Sequence, residues 1–178
     1  HSALFTAQGP KKETYEMLLT AGPAKAARLR IETLADPKIV SGGPGRIGHG
    51  NFVLSELELF SRPKGSTAEW EKIGFTKATA DAEQSGYPVT SAIDGNPETG
   101  WAVQVEGGSH KKNRAAVFHF DKPIAAGERE FKVRLVQNFG SHHTIGRVRV
   151  SFGKELIAPP QLLTDDERRQ QAVDLAFN

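Results

Sequence analysis

Four stretches of the sequence alternate apolar and polar residues with a period of two, and this feature most constrains the fold. In 27–34, leucine and isoleucine alternate with arginine and glutamate, and the same pattern recurs in 116–121, 131–136 and 147–152. A period of two sends successive side chains to opposite faces of a strand. Each stretch therefore predicts a β-strand with one buried face.

Short strands separated by glycine and proline turns predict an all-β fold, an antiparallel β-sandwich. The length of 178 residues suits one shared core. We expect the sandwich over 14–160, preceded by a flexible arm over 1–13. Thr164 followed three residues later by Glu167 is a helix-capping pattern, which predicts a short C-terminal helix or linker in 161–178 that leads to a following domain.

Composition narrows the classes of partner and cofactor. The net charge of +2 is small, so it neither favours nor excludes a polyanion, and we expect no nucleic-acid partner. No apolar run is long enough to cross a bilayer, so we expect no membrane insertion. The absence of cysteine excludes disulfides, thiolate metal sites and Cys-x-x-Cys-His haem attachment, and we expect no haem in this fragment. The chain opens at His1, and we expect a monomeric fragment of a longer protein.

The stretch Val89–Val103 concentrates turn formers, oxygen donors and a large aromatic residue. Asp94, Asn96 and Thr99 can offer side-chain oxygens from one tight turn, and Trp101 follows directly. Hard cations such as calcium bind several such oxygens together with backbone carbonyls. Two interpretations remain open here: a surface turn anchored by a core tryptophan, or a metal site.

A second stretch, Phe52–Phe60, reads as a strand that carries two carboxylates, Glu56 and Glu58, among apolar residues. An ionised group in such surroundings is costly unless it is paired or bound to a metal. The two residues are two positions apart and should therefore share one face of the strand. A metal ion at the Asp94 turn would supply the partner that these carboxylates need.

The glycine-rich stretch Ser41–Asn51 has a phosphate-cradle interpretation and a structural one. It lacks the Lys-Ser/Thr ending of a P-loop, and no helical pattern follows it. We therefore expect an irregular loop beside the glutamate strand, with glycines that permit close backbone approach.

The sequences Ala-Ile-Asp-Gly-Asn-x-x-Thr-Gly-Trp at 92–101 and Leu-Ser-Glu-Leu-Glu-Leu-Phe at 54–60 resemble the discoidin-like, galactose-binding-like jelly rolls. That superfamily includes many carbohydrate-binding modules. The resemblance implies a jelly-roll topology and a structural calcium ion on the aspartate loop, closed by a glutamate from the strand. Carried onto this sequence, it implies the ligands Glu56, Asp94, Asn96 and Thr99. In those relatives the glutamate strand usually comes last, whereas here it precedes the loop.

A closer resemblance spans about residues 27 to 151. Its motifs, in chain order, are Gly43-Pro44-Gly45-Arg46, Gly50-Asn51-Phe52-Val53-Leu54-Ser55-Glu56, Thr99-Gly100-Trp101-Ala102-Val103, His110 and His143-x-Ile145-Gly146-Arg147. The chain is similar to a domain embedded in large planctomycete proteins that also carry predicted cytochrome c domains. The two resemblances together imply a carbohydrate-binding module that targets a larger protein to polysaccharide. They also imply an extracellular, cell-surface or periplasmic location and contact with the parent's other domains.

Three polar residues of this pattern, His110, His143 and Arg147, are candidates for contacting a polysaccharide or oligosaccharide. Imidazole and guanidinium groups suit sugar hydroxyls and uronate carboxylates. Arg147 could equally pair with a structural carboxylate such as Asp94 or Glu56.

Sugar sites usually include an aromatic platform, and four aromatic residues are candidates. Trp70 and Tyr87 lie near polar turns and are the candidates we favour for partial exposure. Phe139 is a further candidate. Trp101 is either a core anchor or a platform.

The sequence favours a binding domain over an enzyme. It has no Gly-x-Ser-x-Gly, no His-Glu-x-x-His and no cysteine nucleophile. Nothing in it places two carboxylates across a cleft, as a glycosidase requires. A zinc site built from His142 or His143 with His110 or His49 remains an alternative use of the histidines. A structural or protein-docking β-sandwich without glycan binding is the alternative function.

Overall fold

The structure is a computed structural model that describes residues 2–6, 9–21, 25–104, 111–125 and 127–154. Within these residues the regular elements are β-strands and one short 3-10 helix, Val89–Ala92. The strands are β1 (Ala3–Leu4), β2 (Glu13–Ala21), β3 (Ala26–Thr33), β4 (Val53–Leu54), β5 (Glu56–Pro63), β6 (Glu71–Ile73), β7 (Phe75–Ala80), β8 (Trp101–Ala102), β9 (Arg114–Ile124), β10 (Arg129–Gln137) and β11 (Arg147–Gly153).

The strands form two larger antiparallel sheets. One has the order β1–β11–β3–β9–β7 and the other the order β2–β10–β5–β6, while β4 and β8 form a separate pair. The chain crosses between the sheets repeatedly, for example from β2 to β3 and from β10 to β11. One buried cluster receives side chains from both sheets, among them Leu29 and Phe118 from the first and Leu59 and Val133 from the second. The predicted all-β antiparallel sandwich is confirmed.

The period-two segments form strands because each can turn one face towards the core. In β3, Leu29 and Ile31 are fully buried, while Arg30 and Glu32, which alternate with them, are partly exposed. Leu29 lies opposite Phe118 of β9, so the apolar sets of neighbouring strands meet on the same side of the sheet. Full burial of each such side chain contributes roughly 1.5–3 kcal/mol.

Part of the predicted N-terminal arm lies in the sandwich. Strand β1 pairs with β11, with Ala3 opposite Val148, and the ring of Phe5 stacks on Tyr15 at a centroid distance of 4.0 Å. The arm boundary at residue 13 also falls inside β2, which begins at Glu13. The predicted C-terminal helix or linker over 161–178 lies outside the described residues.

The glycine-rich segment 41–51 packs as an irregular loop against the loop that precedes β11. Gly45 forms an isolated bridge with Ile145, and a Cβ atom at Gly45 would lie 1.6 Å from the carbonyl oxygen of Asn51. Arg46 is 7% exposed and donates a hydrogen bond to Glu13 at 2.7 Å. The glycines therefore serve close backbone packing, as expected for a structural loop.

Candidate functional site

The Asp94 loop is held in place by Trp101, which belongs to the core. Trp101 is fully buried, its indole Nε1 donates to the carbonyl of Ala82 at 2.9 Å, and its ring meets Phe52 edge-on. In the β4–β8 pair, Trp101 lies opposite Leu54. This pairing brings the loop next to Glu56, the first residue of β5. Of the two interpretations of Trp101, the core anchor is correct.

Oxygen atoms converge inside the Asp94 loop. Thr99 Oγ1 lies 2.8 Å from Asp94 Oδ2, 3.0 Å from Asp94 Oδ1, 2.8 Å from the Asn96 carbonyl and 3.4 Å from the Ser91 carbonyl. A hydroxyl group has one proton and cannot satisfy four acceptors at once. Backbone N–H groups also reach two of these acceptors, Asn96 N–H at 2.8 Å from Asp94 Oδ1 and Thr99 N–H at 3.1 Å from the Asn96 carbonyl. The oxygen lone pairs left over suit a hard cation.

Asn96 offers this cluster a different oxygen from the one predicted. Its side-chain Oδ1 accepts the backbone N–H of Glu98 at 3.1 Å, so it is engaged in a local turn. The backbone carbonyl of Asn96 approaches Thr99 instead. Among the predicted side-chain ligands of the loop, Asp94 and Thr99 come together, and Asn96 offers its main-chain oxygen.

Glu56 completes the cluster. Burial, followed by hydrogen bonding to Asp94 and repulsion by its charge, raises the pKa of Glu56 to about 7. Burial opposes ionisation of Asp94 too, but hydrogen bonds from Asn96, Thr99 and Glu56 lower its pKa overall. Of the two carboxylates, Glu56 is therefore the one that takes up a proton more readily as the pH falls. Glu56 Oε1 is buried without a hydrogen-bond partner, which leaves an acceptor that a cation could use.

The donor chemistry of this cluster fits calcium better than zinc. Among the described residues there is no group of three or more His, Cys, Asp or Glu side chains placed to hold a metal ion. Calcium accepts hydroxyl and carbonyl oxygens beside carboxylates, whereas structural zinc favours nitrogen and sulfur.

A second feature is a group of rings that we call the Phe139 cluster: His49, Tyr87, Phe139 and His143. Phe139 is 46% exposed, with Tyr87 edge-on at 5.9 Å and His143 edge-on at 4.9 Å between ring centroids. The ring of His49 lies 5.3 Å from that of His143. The structure therefore brings together two predicted ligand residues, His143 and Tyr87, around an exposed aromatic side chain.

The loop that carries Phe139 has an unusual backbone. Gly140, Ser141 and His142 have φ angles of 95°, 50° and 65°, and the left-handed region is unfavourable for the two non-glycine residues. Such conformations persist only where surrounding contacts hold them, and they concentrate at functional sites. His142 Nδ1 lies 2.7 Å from the carbonyl of Gly9, so His142 turns away from the cluster.

Arg147 is engaged elsewhere. Its Nη1 donates to Asp36 Oδ2 at 2.7 Å, and its Nε donates to the hydroxyl of Ser2 at 3.0 Å. The Lys38 backbone N–H, and after it Arg147, lower the pKa of Asp36 despite its desolvation. The interpretation of Arg147 as partner of a structural carboxylate fits this geometry, with Asp36 in place of Asp94 or Glu56. A uronate at Arg147 would have to compete with Asp36.

Trp70 does not join the Phe139 cluster among the described contacts. Trp70 immediately precedes β6 rather than lying within a strand, and its ring carries Arg62 at 4.4 Å and Lys132 at 4.9 Å. These cations occupy the ring and compete with a sugar for it. His110 lies outside the described residues.

Sequence reasoning missed the polar groups that connect the two features. Asn138 donates from Nδ2 to Glu98 Oε1 at 3.0 Å and to the Pro97 carbonyl at 3.3 Å. These contacts join the Phe139 loop to the Asp94 loop. The residues are 40 positions apart in the sequence, and no periodic pattern relates them.

Comparison with known proteins yields no match: no protein-family model, no curated protein and no solved structure is significantly similar to this chain. The described residues also contain no helix long and apolar enough to cross a membrane.

Proposed function

We propose that this domain is a non-catalytic carbohydrate-binding module that binds polysaccharide at the Phe139 cluster. The observation that carries the proposal is the exposed ring of Phe139, flanked by Tyr87 and His143 on a loop of the sandwich. Loops on a rigid scaffold are where binding residues concentrate. An exposed aromatic ring offers an apolar surface to a pyranose face, and the neighbouring polar tips offer hydrogen bonds.

The imidazole of His143 is oriented for this role. Its Nδ1 lies 3.1 Å from the carbonyl oxygen of Gly140, which can only accept a hydrogen bond, so Nδ1 carries the proton. In the neutral ring, Nε2 is then an acceptor for a sugar hydroxyl. Asn138 holds the Glu98 carboxylate near the same loop, which supplies a further acceptor.

Calcium is the cofactor in this proposal, with a structural role. The Asp94 carboxylate, the Thr99 hydroxyl, the Asn96 carbonyl and the Glu56 carboxylate would hold the ion. Support comes from the crowded acceptors around Thr99 Oγ1 and from the unpartnered Glu56 Oε1. Calcium supplies positive charge that these oxygens otherwise lack.

The same carboxylates are poorly arranged for glycoside hydrolysis. Glycosidases separate their two carboxyl groups by about 5 Å or more, so that the sugar or a water fits between them. Asp94 instead lies close enough to Glu56 for its charge to raise the pKa of Glu56. We therefore propose binding without catalysis.

The resemblances support the wider setting of the proposal. A galactose-binding-like jelly roll would cross between sheets as this chain does. In that setting the module is extracytoplasmic and monomeric, and it targets a larger, cytochrome-type parent protein to polysaccharide while contacting the parent's other domains.

Domain docking without glycan binding is the second candidate. The exposed side chains of Leu18 and Val40, at 69% and 75%, favour it. They lie on different parts of the chain, one on β2 and one in the loop after β3. Phe139 instead makes ring contacts with two polar-tipped side chains, Tyr87 and His143, so binding at the Phe139 cluster is the stronger proposal.

Affinity electrophoresis through a panel of neutral and acidic polysaccharides tests the proposal. We expect weak retardation by at least one polysaccharide, with a Kd on the order of 10 μM to 1 mM, because sugars offer few heavy atoms and much hydration. Phe139→Ala should abolish the retardation. Leu18→Ala removes another exposed apolar side chain and should retain it. No retardation by any polysaccharide, or equal retardation of Phe139→Ala, would refute binding at this cluster and favour docking.

A further inference from the structure

Asn138 connects the Asp94 loop and the Phe139 cluster through hydrogen bonds of both its side chain and its backbone. Its side-chain amide donates to Glu98 Oε1 at 3.0 Å and to the Pro97 carbonyl at 3.3 Å, both within the Asp94 loop. Its backbone N–H donates to the hydroxyl of Ser55 at 3.0 Å. Ser55 is fully buried and directly precedes Glu56. Each hydrogen bond therefore ends on a segment that carries a proposed calcium ligand.

Asn138 also directly precedes Phe139 and the strained turn that follows it. The positive φ angles of Ser141 and His142 require outside contacts to persist, because the left-handed region is unfavourable for side-chain-bearing residues. His142 supplies such contacts, since its Nδ1 lies 2.7 Å from the carbonyl of Gly9. The hydrogen bonds of Asn138 act one residue before Phe139, where they fix the backbone at the end of β10. The position of the Phe139 ring thus depends on the Asp94 loop.

We propose that Asn138 is a positioning residue that couples calcium binding at the Asp94 loop to the placement of Phe139, so that calcium strengthens carbohydrate binding. This inference rests on the proposed function. Coupling of this kind is reciprocal, so bound sugar would tighten calcium by the same factor. Typical couplings change affinity by about 5- to 150-fold. Because the side chain of Asn138 makes only two hydrogen bonds, both on exposed loops, we expect a coupling near the lower limit, about fivefold.

A fluorescent reporter tests the coupling without any sugar. The Phe139→Trp protein should emit differently in calcium and in chelator, with no sugar present. The wild type, which contains Trp70 and Trp101, gives the background change to subtract. Adding Asn138→Ala should abolish the reporter change while calcium still raises the melting temperature. Asn113→Ala is the matched control, because Asn113 also bonds a backbone group, the Ala35 N–H, and should leave the reporter change intact. Glu98→Ala provides a second, exposed variant and should weaken it.

The outcomes separate the coupling from the function on which it rests. If calcium raises the melting temperature but leaves the Phe139→Trp emission unchanged, or changes it equally in Asn138→Ala, the coupling is refuted. If the emission responds through Asn138 but no polysaccharide binds, the coupling stands and the carbohydrate proposal falls. Where a polysaccharide binds, its Kd should weaken about fivefold in chelator, and Asn138→Ala should remove that difference.

Discussion

At the residue scale, the proton that Glu56 takes up makes stability depend on pH in calcium-free protein. Burial, and then Asp94, raise the pKa of Glu56 from 4.5 to about 7. The folded state therefore binds this proton more tightly than the unfolded state does. Its stabilising contribution is fully present below about pH 4.5 and is lost as the pH rises through about 7.

Melting in chelator at several pH values between 4.5 and 8 checks this prediction. The wild type should lose stability relative to Glu56→Gln as the pH rises, because glutamine carries no titrating proton. Glu56→Gln is the reference because His119 titrates in both proteins. The lowered pKa of His119 makes stability rise with pH near neutrality, which is opposite to the effect of Glu56. Parallel curves for the two proteins would contradict the prediction.

Sequence chemistry predicted which oxygen donors would lie together but not which charged groups would be paired. Asp94, Thr99 and Glu56 were chosen from oxygen chemistry and resemblance, and the structure brings them into one cluster. Arg147 could not be assigned, because a guanidinium binds a sugar carboxylate and a structural one by the same hydrogen bonds, and only the fold brings Asp36 to it. Trp70 was predicted from nearby polar turns, which do not reveal the cations that cover its ring.

At the element scale, strand length decided what could be predicted. Strands β3, β9 and β10 bury alternate residues, and β11 turns alternate apolar residues towards the core, so their period is visible in the sequence. Strands β1, β4 and β8 contain two residues each and are too short to show any period. Val53–Leu54 lies inside the predicted strand Phe52–Phe60, but its pairing with β8, which positions the Asp94 loop, was not predicted.

The anchoring of that loop by β8 gives a second stability prediction. Trp101→Phe should lower the free energy of unfolding by about 2 kcal/mol, since it removes one buried hydrogen bond to Ala82 and leaves a small cavity. Urea denaturation measures the change. Leu18→Ala, on an exposed face of β2, should change stability by less than about 0.5 kcal/mol. A Trp101→Phe protein as stable as the wild type would show that the loop is anchored by other contacts.

At the scale of the whole molecule, the Phe139 cluster depends on topology rather than on local sequence. Its rings come from the glycine-rich loop, the segment before the 3-10 helix and the loop between β10 and β11. Each loop could be predicted from its turn residues. That these loops lie side by side could not be predicted, because it depends on which strands become neighbours in the sandwich.

Calcium binding should stabilise the whole domain, because its ligands join β5 to the loop that enters β8. An ion that binds only the folded state contributes RT ln(1 + [Ca²⁺]/Kd), about 2.7 kcal/mol at a hundredfold excess over Kd. For a domain of this size that corresponds to a rise of roughly 5–10 °C in melting temperature.

Scanning calorimetry with millimolar calcium and with chelator measures this increment. Asp94→Asn keeps the shape of the side chain but removes its charge, so it should lose most of the increment. Asp121→Asn, an exposed carboxylate on β9, should keep it. Magnesium should stabilise much less, because it demands a smaller octahedral site and releases water reluctantly. Equal melting in calcium and chelator, or a full increment in Asp94→Asn, would show that the oxygens around Thr99 hold no calcium, and Asn138 would then have no ion to couple to Phe139.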